Sequence, residues 1–298
     1  MSRNNDDRLG AKPTDEAPVA ATEVTPGPTT SETPTPPGQG GIGLNFAVPT
    51  EFVELPSKGH FYNPGHPLYN AETVEIRHMT AREEDILTSK TLLKKGIALD
   101  RLIESVLVDK TIKADDMITG DKNAILVMSR LLAYGADYNT RVTCPACYEQ
   151  VNFNFNLNEH KLVHPDNCED VEFERTNNNT FKFTLPKTNV VVETKLLTGA
   201  DERWLSKLAE KKRKKKNTSD SILSDQMKLF IVSLNGVTDR NQIGQFISYM
   251  PASDSRFLRK AYNQITPNLD LTQDFECPSC EHETELEVPF TAEFFWPK

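Results

Sequence analysis

Two CPxC motifs, Cys144-Pro145-Ala146-Cys147 and Cys277-Pro278-Ser279-Cys280, constrain this chain more than any other feature. A C-x2-C turn presents two thiolates from one tight knuckle, and two such turns complete the four-sulfur tetrahedral shell of a structural zinc ion. The spacing predicts a single Zn2+ held by Cys144, Cys147, Cys277 and Cys280. Four thiolates leave no open coordination position, so such a metal is architectural rather than catalytic. The competing reading is that the pairs are ordinary reduced or buried cysteines. Five cysteines, four of them in knuckles, fit metal binding in a reducing compartment better than a disulfide framework, and Cys168 is left over.

The knuckles also belong to a repeated order of elements. VEIRHMTAREE in the first half matches VETKLLTGADE in the second: Val74, Glu75, Thr80 and Glu84 align with Val192, Glu193, Thr198 and Glu202 at a constant offset of 118 residues. Further on the offset becomes 133, for Cys144 with Cys277, Cys147 with Cys280 and Asp121 with Asp254. The apolar alternation Phe153, Phe155, Leu157 meets Leu286, Val288, Phe290 at that same offset. The fold class expected is therefore α+β: two divergent tandem copies of a strand, helices and zinc-knuckle unit, joined by one four-cysteine zinc ribbon. The change of offset implies an insertion, placed at KLAEKKRKKKNTSDS in the second copy.

Composition sets the boundaries. Residues 1–45 are rich in Pro, Thr, Glu and Gly and carry too little apolar surface to offset their ordering entropy, so they read as a disordered arm. Residues 46–70, turn-rich around Pro56, Gly59, Pro64, Gly65 and Pro67, read as an extended lead-in that packs as a loop on aromatic anchors Phe52, Phe61, Tyr62 and Tyr69. Repeat one then covers 71–160, a hairpin connector turning at Asn177 to Asn179 covers 161–187, and repeat two with its basic insertion covers 188–298. Within repeat one, a strand at Val74 to Met79 precedes a helix capped by Thr80 and Glu83. Further helices are expected from Ile97 to Val108 and from Asp121 to Tyr134, the last stopped by Gly135.

Other chemistry-bearing residues carry weaker signals. His160, His164 and Cys168 recur at intervals of four, which would put metal ligands on one helical face, but Pro165, Asp166 and Asn167 favour a surface loop. His282 reads as a solvent-side residue of the second knuckle. Glu83, Glu84 and Asp85 are satisfied by a helix N-terminus. Lys211 to Lys216 form a basic run without aromatic neighbours for base stacking, in a chain of net charge −9, so a solvated or partner-facing segment is the reading over nucleic-acid contact. Leu55 to Gly59 (LPSKG) is too short for a phosphate loop, and no Walker loop, GxSxG elbow or HExxH pair occurs. No catalytic or cofactor-binding residue and no enzymatic activity are expected. Without a long apolar run, no membrane span is expected either.

LPSKGHFY, TAREEDILTS, ALDRLIESVLVD, GDKNAILVMSRLLAYG with VTCPAC, and the closing CPSCEHETELEVPFTAEFFWPK together resemble the T4-type bacteriophage baseplate hub protein family. The resemblance implies a structural or assembly role in the central hub of a contractile tail, through contacts with other phage baseplate or tail proteins. It implies host cytoplasm during assembly and the virion tail baseplate for a permanent component. Segment 46–70 and a terminal strand with Phe294, Phe295 and Trp296 are candidate contact surfaces, and those aromatics fit a core role equally. Two other functions stay open: a nucleic-acid-binding zinc-ribbon protein, and a transient assembly chaperone absent from the mature particle. Neither a small-molecule substrate nor a membrane is among the expected partners.

Overall fold

A computed structural model describes residues 48–167, 171–214, 222–289 and 292–295. The expected disordered arm, Cys168, Lys215, Lys216, Phe290 and Trp296 lie outside the described residues.

The first half opens with β1 (Thr50–Glu54) antiparallel to β2 (Thr73–Arg77), with Val53 opposite Val74. The lead-in segment, expected as a loop, thus begins with a strand. The alternation in Glu-Phe-Val-Glu-Leu turns Val53 and Leu55 into the core, which leaves Phe52 on the other face, 67% exposed. Of the expected anchors, Phe61 and Tyr62 are buried while Phe52 and Tyr69 are not. Between β1 and β2 the LPSKG turn is fastened to a buried carboxylate. Asp121 accepts hydrogen bonds from Ser57 N–H (3.0 Å), Ser57 Oγ (2.6 Å) and Tyr62 Oη (2.6 Å).

Next come α1 (Ala81–Thr88), α2 (Lys90–Lys94), α3 (Ala98–Val106) and α4 (Thr119–Tyr134). Thr80 caps α1 as its sequence predicts: its N–H (2.9 Å) and Oγ1 (2.7 Å) both donate to Glu83. Arg77 completes the device at 2.6 Å. Burial alone would raise the Glu83 carboxyl, but hydrogen bonds from Arg77, Ser105 and Thr80 outweigh it and hold the group down at about 2. Leu102, Ile103 and Val106 face the core from α3, and α4 ends where Gly135 turns to φ +82°. β3 (Asp137–Thr143) and β4 (Gln150–Asn156) form the first long hairpin.

In the second half, β5 (Lys161–Val163) leads through a 3-10 turn at Pro165–Asn167 to β6 (Glu174–Arg175), β7 (Thr180–Thr184) and β8 (Val191–Lys195). The expected hairpin at Asn177 to Asn179 is present, and β7 then continues into the same sheet as β8. α5 (Gly199–Lys214), α6 (Ile222–Phe230), β9 (Ile231–Leu234), α7 (Arg240–Tyr249) and α8 (Ala252–Ile265) follow. β9 closes the sheet in the order β6-β7-β8-β9. β10 (Asn268–Asp270) pairs back with β5, and β11 (Thr272–Glu276) with β12 (Glu283–Glu287) forms the second long hairpin. The segment expected as a contact-bearing terminal strand is instead a 3-10 turn, Ala292–Phe295. It buries Phe294 and Phe295, with Phe294 edge-on to Tyr138 at 5.3 Å, because these rings fill the space between α4 and β3.

One continuous apolar core runs through both halves, and residues 47–298 form one unit. The halves meet closely at the N-termini of α4 and α5. Thr119 N–H donates to Leu197 O (3.2 Å), Gly199 N–H to Met117 O (2.9 Å), and the buried Lys122 ammonium sits 2.9 Å from both Asp100 and Glu202. No described helix is long and apolar enough to cross a membrane.

Candidate metal centre

Each knuckle caps one long hairpin at the same place. The last paired residues are Thr143 with Gln150 and Glu276 with Glu283. In the first turn Cys144 N–H donates to Glu149 O (3.0 Å) and Tyr148 N–H to Cys144 O (2.9 Å). In the second, Cys277 N–H donates to His282 O (3.0 Å) and Glu281 N–H to Cys277 O (2.8 Å). The residue after the second cysteine takes a left-handed backbone in both, φ +61° at Tyr148 and +57° at Glu281. This bend turns two sulfurs of one short turn toward a common point.

The hairpins lie side by side. Gln273 on β11 uses its side-chain amide as a substitute ladder, accepting from Asn156 N–H (3.0 Å) and donating to Asn156 O (2.7 Å). Phe153 stands edge-on to Phe275 at 5.3 Å. This packing brings the first cysteine of each knuckle against the second of the other. Sγ of Cys144 is 3.7 Å from that of Cys280, and Sγ of Cys147 is 3.8 Å from that of Cys277. The first cysteines are buried and the second exposed.

These distances discriminate between chemistries. A disulfide needs about 2.05 Å between sulfurs. Four thiolates at roughly 2.3 Å from one central ion stand about 3.8 Å apart along a tetrahedral edge. The four cysteines therefore make a possible metal site, with the donor set and spacing that one tetrahedral ion requires. Cys144 and Cys280 sit in unlike surroundings. The N–H groups of Cys147 and Ala146 act first on Cys144 and hold its thiol down at about 6, against the opposing effect of burial. At Cys280 the N–H of His282 favours the thiolate, but burial and the neighbouring sulfurs prevail and push it up to about 12. Sulfurs this close cannot all ionise unless a cation stands among them.

The remaining sequence candidates do not join this centre. The His282 side chain is exposed, and only its backbone takes part in the turn, the carbonyl accepting from Cys277 and the N–H facing Cys280. His160 points back to its own turn, with Nδ1 3.0 Å from Leu157 O, so His160 and His164 share no helical face. His164 instead is buried beside His60 and Asp166, a second group close enough to hold an ion. Its Nδ1 accepts from Asp166 N–H at 3.2 Å. That group escapes sequence reading because His60 lies more than a hundred residues upstream. Glu83 is a cap, as expected. The lysine run begins as the C-terminal turn of α5, where Lys212 pairs with Asp225.

Comparison with curated proteins and with solved structures gave no match. The family model described as T4 bacteriophage base plate protein matches residues 48–296, which span every described element. The chain belongs to the T4 bacteriophage base plate protein family.

Proposed function

We propose that this protein is a structural or assembly component of the central hub of a contractile-tail baseplate, and that it acts through protein contacts on a scaffold clipped by one Zn2+. The observation that carries the reading is the base plate family match over 48–296. Cys144, Cys147, Cys277 and Cys280 are the proposed ligands, and their reciprocal sulfur spacing supports a closed, non-catalytic shell. A bound zinc ion would supply cross-linking charge only. The protein's own part is to hold four sulfurs at the ends of two packed hairpins.

The clip joins two copies of one unit. β1 and β7 lie 130 residues apart with equal bounds, and β2 and β8 lie 118 apart. α3 and α6, each of nine residues, lie 124 apart. The bridge between Ile76 and Leu107 then stands where Thr194 pairs with Ile231. Asp254 holds the turn before β8 through Thr188 as Asp121 holds the turn before β2 through Ser57. On this reading the unit starts at β1 and β7 rather than at β2 and β8. The inserted residues divide between the end of α5 with the α5–α6 connection, which the lysine run spans, and the stretch around α7.

Two measurements test the proposal. Metal analysis of the purified protein is expected to give one zinc per chain, and Cys277→Ser to lose the metal together with much of the thermal stability. Metal-free wild-type protein of full stability would sink the clip. Mass spectrometry of purified particles is expected to find the chain among tail components, whereas absence would reassign it as an assembly chaperone.

A further inference from the structure

A cleft of about 600 Å3 lies between the N-terminus of α1, the C-terminus of α3 and the segment after it. Among the described residues Arg77, Arg82, Arg101, Lys110 and Lys113 line it with a single carboxylate, Glu104. Such an excess of positive charge is an anomaly in a chain of net charge −9.

Folding uses two cations of this wall and leaves the other three. Arg77 is committed to Glu83, and Lys110 Nζ caps α3 by donating to Glu104 O (3.1 Å), Ser105 O (2.9 Å) and Leu107 O. Arg82, by contrast, is exposed and has no carboxylate partner among the described residues. Arg101 has only a surface pair with Glu104 at 3.2 Å, and Lys113 only Lys110 O at 2.9 Å. The corresponding positions of the second half carry no such charge. At the register of α1 with α5, Arg82 stands opposite Ala200, and at that of α3 with α6, Arg101 stands opposite Asp225. The pair shared by both halves is the structural one, Arg77 with Glu83 and Lys195 with Asp201. The cations also oppose one another. Burial first, then Arg77 and Arg82, hold the Lys110 ammonium below its usual range.

The floor of the cleft decides what kind of anion fits. Val48, Ile86 and Ile112 supply apolar surface, and among the described residues no aromatic side chain lines it for a base to stack on. Carboxylates set beside aliphatic side chains match this mixture, whereas a nucleic-acid strand would leave the apolar floor uncovered.

We infer that this cleft docks a short acidic, aliphatic segment of a neighbouring protein, with Arg82 and Lys113 as its specificity-determining cations. The site is separate from the cysteine cluster, so its failure and that of the zinc clip are read by different measurements.

Fluorescence polarisation on the full chain tests the inference, with a labelled peptide of Asp, Glu and Leu and a control carrying Asn and Gln for the acids. The acidic peptide is expected to bind and the control not. Arg82→Glu with Lys113→Glu should weaken binding at least about tenfold, and Arg82→Lys with Lys113→Arg should restore it to within about twofold. Both side chains are exposed, so circular dichroism of the variants should match the wild type. Equal binding of peptide and control, or indifference to charge reversal, overturns the proposal. Tighter binding of a short oligonucleotide through the same two cations overturns it in favour of a nucleic-acid site.

Discussion

Arg130 is among the largest fully buried side chains, at 1% exposure, and it has carbonyl partners in three places. Nε donates to Phe294 O (2.8 Å), and the two terminal nitrogens donate to Gly135 O (3.0 Å) and Asp137 O (3.1 Å). A guanidinium at the C-terminal end of α4 is favoured by the helix dipole, and here it also ties α4 to β3 and to the terminal turn. Replacing it leaves Phe294 O unpaired in the interior and takes the donor from two part-buried carbonyls, those of Gly135 and Asp137. Arg130→Met is expected to cost about 3–5 kcal/mol in urea denaturation, and a loss below about 1 kcal/mol would contradict this role. Sequence reading passes over Arg130, because an arginine on a helix is ordinarily a solvated residue. The four cysteines were legible for the opposite reason. Their pairing is encoded in a local turn, and two matching turns identify each other across the chain.

At the level of elements, helix crossings depend on which residues lack a side chain. Gly120 lies in the first turn of α4, where a Cβ would sit 1.8 Å from Pro267 O, a backbone atom that cannot swing away. Gly199 opens α5 under the same restriction, 2.2 Å from Ala114 O. Each half thus offers one glycine to the backbone of the other. In a free helix Gly→Ala gains about 1 kcal/mol. Gly120→Ala should reverse that sign and lower stability by about 2 kcal/mol or more, and a thermal midpoint at or above that of the wild type would show the crossing to be loose. α3 and α4 could be read from sequence because their apolar residues recur at helical spacing over several turns. β1 was hidden by its shortness and by the proline and glycine that follow it. β9 and α7 gave no periodic signal of their own, and α7 buries only Ile243 and Ile247.

For the molecule as a whole, the mixture of helices and strands was visible from sequence, but the way the two halves share one interior was not. β5 pairs with β10 across more than a hundred residues, and Lys122 reaches from α4 to Glu202 on α5. Contacts at such separations follow from how faces fit, which a one-dimensional pattern does not record. The basic cleft shows the same limit. Its cations come from β2, α1, α3 and the segment beyond, and in sequence they are dispersed among acids.

The reciprocal cysteine pairing also sets a clock. Cys144 and Cys147 leave the ribosome 133 residues ahead of Cys277 and Cys280. At a synthesis rate of roughly 5–20 residues per second, the first knuckle waits on the order of ten seconds as an open dithiol. During that interval it is at its most exposed to oxidants and to stray metal ions. The chain's history therefore holds a vulnerability that the finished molecule, with its sulfurs gathered at one point, no longer displays.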